Sequence, residues 1–195
     1  MSSEFIKLNK PIFLLGFICS GKTTLGKALA AELNVGFIDT DQFIEKKLGV
    51  SVSEIFESKG EAYFRKAEAQ ALNEIIRLSK NEPAVVALGG GTPCRDGVVE
   101  MLNKHGVAVF LDAPVPKLIE RIMLFGNTRP AFAGKNHNEV NQILAPMLEQ
   151  RIPFYQKARY VFDSSRLEDD FQIADSVKLF VETILSSDIR ARNNE

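Results

Sequence analysis

The stretch Gly16-Phe17-Ile18-Cys19-Ser20-Gly21-Lys22-Thr23 fits the phosphate-loop pattern G-x-x-x-x-G-K-[ST]. Its flanks fix how it must fold. Pro11-Ile12-Phe13-Leu14-Leu15 is an apolar run of buried-strand length. Behind the loop, Leu25, Leu29 and Leu33 recur four apart, as on one face of a helix. Strand, glycine loop and helix in this order aim successive backbone N–H groups and a helix N-terminus at one anion. Lys22 is placed to reach the β- and γ-phosphates of a nucleoside triphosphate, and Thr23 to offer its hydroxyl to Mg²⁺. Gly16, Cys19, Ser20, Gly21, Lys22, Thr23 and Thr24 are therefore the candidate ATP-binding residues. The loop does not name the second substrate.

The rest of the chain repeats the strand–helix alternation. Val35 to Asp39 reads as a second strand, Ala84 to Leu88 as a third, Gly106 to Asp112 as a fourth and Tyr160 to Asp163 as a fifth. Between them, Asp41 stands at a cap position before a short helix from Gln42 to Leu48. Ser51 with Glu54 reads as a capping box, and a long helix runs from about Glu61 to Lys80. Pro153 is expected to break or end a helix that starts near Glu139. The last helix is expected from Leu167 to Leu185, with Ser186 to Glu195 a frayed tail. The fold class is α/β: three layers, α/β/α, around a five-stranded parallel sheet. At 195 residues one domain, 1–195, is expected.

Ligands of such sheets bind beyond the carboxyl ends of the strands. The phosphate loop, Asp39 with Asp41, and Gly89-Gly90-Gly91 all follow strand ends and should share one cleft. Near bound phosphates, Asp39 can hold the Mg²⁺ shell through water while Asp41 meets an acceptor hydroxyl; a helix cap by Asp41 beside a solvated Asp39 is the plainer reading. Three glycines ending a strand suggest close approach of a ligand to bare backbone, against a simple tight turn before Pro93. Arg65, Arg129 and Arg151 can each grip a carboxylate or phosphate, though any one alone is more often a surface charge. Cys19, at a helix N-terminus beside Lys22, is either an inert small residue or a thiol whose alkylation blocks nucleotide binding.

Composition excludes other classes. The net charge of −1 and pI near 6.2 offer no basic face, so no nucleic-acid partner is expected. No apolar run reaches bilayer length, and Met1 to Lys10 lacks a signal peptide's apolar centre. Two cysteines make no disulfide framework. A cytoplasmic protein with no membrane partner is expected.

Several separated motifs together resemble shikimate kinases over nearly the whole chain. They are Gly16 to Gly26, Phe37-Ile38-Asp39-Thr40-Asp41, Glu54-Ile55-Phe56 with Gly60-Glu61-x-x-Phe64-Arg65-x-x-Glu68, Leu88 to Gly91, Arg129-Pro130, and Arg151-x-Pro153-x-Tyr155-x-x-Ala158. The resemblance implies a P-loop kinase with a helical substrate-binding segment at about 41–70 and a mobile lid at about 126–140. It implies transfer of phosphate from MgATP to the 3-hydroxyl of shikimate, on the route to aromatic amino acids, by a monomer. Asp41 would then bind the acceptor hydroxyls and serve as base, and Arg65 and Arg151 would clamp the carboxylate, with Glu68 orienting Arg65. Gly89, Gly90 and Gly91 would lie against the ring, Phe56 and Phe64 would wall the pocket, and Lys22 and Arg129 would meet the transferred phosphate. Three features depart from the family: Cys19 replaces a usual glycine, Ala131-Phe132 replaces two leucines, and the segment Arg121 to Gly126 lacks the arginine the family often places before the lid to stack on adenine, a role not given to the nearby Arg121. A related small kinase, for gluconate or a nucleoside monophosphate, and a non-catalytic nucleotide sensor remain as alternatives at this stage.

Overall fold

The computed structural model describes residues 8–125 and 132–193. Five strands, β1 (Ile12–Leu15), β2 (Gly36–Asp39), β3 (Ala84–Ala87), β4 (Val107–Asp112) and β5 (Tyr160–Asp163), form one sheet in the order β2-β3-β1-β4-β5. Every pairing is parallel. The helices are α1 (Lys22–Glu32), α2 (Thr40–Leu48), α3 (Val52–Leu78), α4 (Val98–His105), α5 (Val115–Phe125), α6 (His137–Tyr155), α7 (Asp170–Phe180) and α8 (Ser186–Asn193).

Residues of β1 alternate between two cores, as the period-two geometry of a strand requires. Phe13 and Leu15 join Val86, Ala108 and Phe110 under residues of α3, α4, α5 and α6. Ile12 and Leu14 join Val85, Val107 and Val109 under α1 and α7. All four β1 residues are fully buried, the expected state for a central parallel strand covered on both faces. The order places β1 between β3 and β4, so the chain winds one way to β2 and β3 and the other way to β4 and β5. The cleft opens at that switch, beyond the carboxyl ends of β1 and β3.

The elements depart from the sequence expectations at four places. The capping box of Ser51 and Glu54 is present, but its helix and the long one form a single run, kinked at Gly60, whose φ of 75° and ψ of 174° a side chain would strongly oppose. Pro153 does not end α6: the helix carries both Pro146 and Pro153 and closes only at Tyr155. Packing of Val140, Leu144 and Tyr155 into the core holds the helix together across two missing N–H donors. The expected tail is helical as far as Asn193, tied back by buried Asp188 to Arg159 at 3.5 Å. Of the expected lid, 126–131, with Arg129 and Pro130, lie outside the described residues. Phe132 is buried in the core, and residues 137–140 are the first turn of α6, capped by Asn136 and Glu139. Among the described residues no helix is long and apolar enough to cross a membrane.

Candidate active site

The phosphate loop wraps the start of α1. Gly21 caps that helix with φ 91° and ψ 10°, in the left-handed region where glycine is at home. A side chain there would also push Leu167 aside: a Cβ on Gly21 would lie 2.3 Å from Leu167 Cδ1. Lys22 Nζ donates to the carbonyls of Gly16 at 3.0 Å and Phe17 at 2.8 Å, so the ammonium spans the mouth of the loop. Cys19 sits at φ 59°, a conformation that costs an L-residue about 1–2 kcal/mol. Cys19→Gly removes that strain and restores some unfolded-chain entropy, so we expect unfolding in urea to show a net gain of about 0.5 kcal/mol. Cys19→Val, β-branched at the same φ, is expected to lose about 1–2 kcal/mol.

Arg121, which sequence reading left without a role, has a structural one. It is buried, and its guanidinium donates to the carbonyls of Cys19, Ser164 and Ser165 and to Glu168 at 2.9–3.4 Å. It bolts the phosphate loop to the turn after β5. The available signal was its position beside Leu118 and Ile122, on the apolar side of α5.

At the end of β2 the two aspartates divide their work differently from the plainer expectation. Asp39, not Asp41, caps α2: its Oδ1 accepts from the N–H groups of Asp41 at 3.0 Å and Gln42 at 3.4 Å. Its other oxygen accepts from the Thr23 hydroxyl at 3.3 Å. The Asp41 carboxylate is left to face the cleft. Burial first, then the charges of Asp39, Glu68 and Glu45, push its carboxyl from the ordinary 3.8 up to about 6, against the pull of Lys22.

The triple glycine is where the acceptor-side groups meet. A Cβ on Gly89 would lie 2.7 Å from Asp41 Oδ1; one on Gly90, 3.4 Å from Arg151 Nη1; one on Gly91, 3.1 Å from Arg65 Nη1. Gly91 has φ −90° and ψ −16°, open to any residue, so glycine there is a matter of space, not backbone freedom. The loop is held from both sides. Gly89 N–H donates to Thr40 Oγ1 at 2.9 Å, and the fully buried Tyr155 donates its hydroxyl to Gly90 O at 2.6 Å. Burial raises the Tyr155 phenol, which keeps it a donor. Cys94 lies beside the same carbonyl, with Sγ 3.8 Å from Gly90 O, and burial raises its thiol as well. Cys19 lines the cleft, and burial holds Cys94 in its unreactive thiol form.

Arg65 is gripped by two carboxylates. Glu61 Oε1 accepts from Nε at 3.2 Å and Nη2 at 2.9 Å, while buried Glu68 accepts from Nη1 at 3.2 Å. Burial lowers the Arg65 pKa, but these bonds and charges outweigh it and the net shift is upward. Glu68 is anchored further by the Thr92 hydroxyl at 2.5 Å and by Arg95 Nε at 3.8 Å. Phe56 and Phe64 meet tilted, with ring centroids 4.7 Å apart, Phe64 buried and Phe56 exposed, and Arg65 lies 5.6 Å from the Phe64 ring. Arg151 lies over the Phe17 ring at 5.4 Å. The phosphate loop, both aspartates, Gly89, Gly90 and Arg121 line one cleft of about 440 Å³. A substitution follows directly. Gly89→Ala must displace the Asp41 carboxylate, and a shift of about 1 Å in a reacting group can cost 10²-fold. Steady-state kinetics are expected to show about 10²-fold lower kcat with the KM for ATP within twofold.

The shikimate kinase family model matches residues 18–184 of this chain. The chain belongs to the shikimate kinase family. The shikimate kinase of Bacteroides thetaiotaomicron is 40% identical over 173 residues, 89% of this chain and 97% of that protein. That of Bacteroides fragilis is 41% identical over 167 residues, 86% of this chain and 92% of that protein. The crystal structure of the Bacteroides thetaiotaomicron shikimate kinase superposes with a TM-score of 0.83, covering 89% of this chain and 97% of its own. The Acinetobacter baumannii shikimate kinase, solved in complex with shikimate, is 32% identical with a TM-score of 0.78, covering 95% and 98%. Shikimate kinases use ATP as the phosphate donor, in keeping with the loop at Gly16 to Thr23.

Proposed function

We propose that this protein transfers the γ-phosphoryl group of MgATP to the 3-hydroxyl of shikimate, giving shikimate 3-phosphate. The observation that carries this reading is the convergence of Asp41, Arg151 and Arg65 on three successive glycines, each bare on the side facing one of them. Shikimate offers one carboxylate and three hydroxyls. Two guanidiniums suit the carboxylate, and a carboxylate with exposed backbone suits the hydroxyls.

The roles follow from position. The loop from Gly16 to Thr24, with Cys19, Ser20 and Gly21, cradles the phosphates. Lys22 leaves the Gly16 and Phe17 carbonyls to meet the β- and γ-phosphates. Thr23 and Asp39, whose oxygens lie 3.3 Å apart, form a hard-oxygen pair suited to Mg²⁺, Asp39 acting through water. Among the described residues no three His, Cys, Asp or Glu side chains form a metal cage, and Mg²⁺ characteristically takes its remaining ligands from phosphates and water. When bound, the ion would neutralise charge on the phosphates. Asp41 aligns the acceptor hydroxyl and accepts its proton. Arg65, oriented by Glu68, and Arg151 hold the carboxylate, with Phe56 and Phe64 as the outer wall. Arg129 lies outside the described residues; the family motif Arg129-Pro130, not a position, assigns it to the charge around the transferred group. The substrate-binding segment spans about 41–70 within one domain, 1–195, and the protein acts as a cytoplasmic monomer.

Phosphorus NMR of a reaction with MgATP and shikimate tests this. A new phosphomonoester coupled to the ring proton at C3 is expected. A phosphomonoester at another hydroxyl, or inorganic phosphate alone, overturns the assignment.

A further inference from the structure

Arg65 holds more protein carboxylate than a substrate-binding arginine should. A guanidinium takes a carboxylate bidentately on either of two edges. Glu61 Oε1 closes the Nε–Nη2 edge at 3.2 and 2.9 Å. Glu68 Oε2 holds Nη1, a member of the other edge, at 3.2 Å. A substrate carboxylate arriving at Arg65 must therefore displace or share one of them.

The two partners are unequal. Glu68 is 2% exposed and fixed by Thr92 and Arg95 as well as Arg65. Glu61 is 67% exposed, and among the described residues its ion-pair partner is Arg65. It also stands directly after the Gly60 kink, on the first turn of the second part of α3. An exposed ion pair of this kind is weak and exchanges readily. The buried one does not, because leaving Glu68 uncompensated is costly.

We propose that Glu61 is an internal competitor of the acceptor's carboxylate: it occupies Arg65 when the site is empty and gives the guanidinium up to the substrate. Glu61 thereby sets the apparent affinity and the charge selectivity of the acceptor site. Only the fraction of molecules with Arg65 released binds the carboxylate, so apparent affinity falls by that fraction. This inference rests on the functional reading above.

Steady-state kinetics of the full-length protein test it. In Glu61→Gln the KM for shikimate is expected to fall about two- to sixfold, the range an exposed pair can supply. The kcat and the KM for ATP should stay within twofold. The KM for shikimate methyl ester, which carries no carboxylate, should not move. Glu68→Gln should shift the shikimate KM upward, the opposite direction. If the wild-type protein is inert toward shikimate, the functional reading fails and this inference with it. If the wild type is active and Glu61→Gln leaves the KM unchanged or raises it, Glu61 is not a competitor and only the inference fails. An equal fall for acid and ester also overturns it, since the effect would then not run through the carboxylate.

Discussion

Asp41→Asn is expected to lower turnover with shikimate about 10³-fold while leaving MgATP binding intact. The magnitude is the middle of the range for a positioned acid–base group. The selectivity follows from the local geometry. Asp39 takes the α2 cap and the Thr23 contact, so Asn at 41 disturbs neither the helix nor the candidate metal pair. The same change is expected to stabilise the nucleotide-free protein. The Asp41 carboxyl titrates near 6 in the folded state against 3.8 ordinarily, so folding favours its protonated form. The native state thus loses stability as pH climbs from about 4 through about 6, and that loss persists above. A gap of about two units corresponds to on the order of 2–3 kcal/mol. Urea midpoints should favour the Asn variant at pH 8 by up to that amount, and the two proteins should converge at pH 4. Equal midpoints at both pH values would contradict the burial of a costly charge, and near-normal turnover would remove Asp41 from the reaction.

Lys22→Met is expected to cost 10²–10³-fold in kcat/KM for ATP, the scale of losing one preorganised charge at a transferring phosphoryl group. Met keeps the length of the side chain and removes the ammonium. Two effects combine. The bound phosphates lose their cation, and the carbonyls of Gly16 and Phe17 lose the donor that braces the loop when it is empty. The change also reaches Asp41, because the Lys22 charge draws its carboxyl down. In Lys22→Met the Asp41 carboxyl should titrate above 6, measurable by carbon-detected NMR of the nucleotide-free protein. The double variant Lys22→Met/Asp41→Asn should lose less than the product of the single losses, as expected for groups that act together. Full additivity would show that the two do not share a step.

The parts legible in the sequence are those where local chemistry and global fold agree. The phosphate loop announces itself because Gly16 and Gly21 occupy positions where a Cβ would strike backbone or Leu167. Three of the five strands are readable because β1, β3 and β4 are almost wholly apolar, as strands buried on both faces must be. The errors arose where tertiary packing overrides local rules. Pro153 looked like a helix end, yet Tyr155 is pinned by its bond to Gly90 and carries the helix past it. Ser186 onward looked like a tail, yet Asp188 is paired beneath the surface. Asp39 and Asp41 are equivalent by composition, and only the start of α2 at Thr40 decides which one caps. The role of Arg121 is not legible, because one arginine on a helix carries no sign that three carbonyls will surround it.

The most direct measurement is ADP release from MgATP in the presence of shikimate, gluconate, AMP, CMP or no acceptor. Turnover with shikimate, and background with the others, is the predicted result. Turnover with gluconate or a nucleoside monophosphate in its place would keep the fold and the phosphate loop but contradict the roles given to Arg65, Arg151 and the triple glycine.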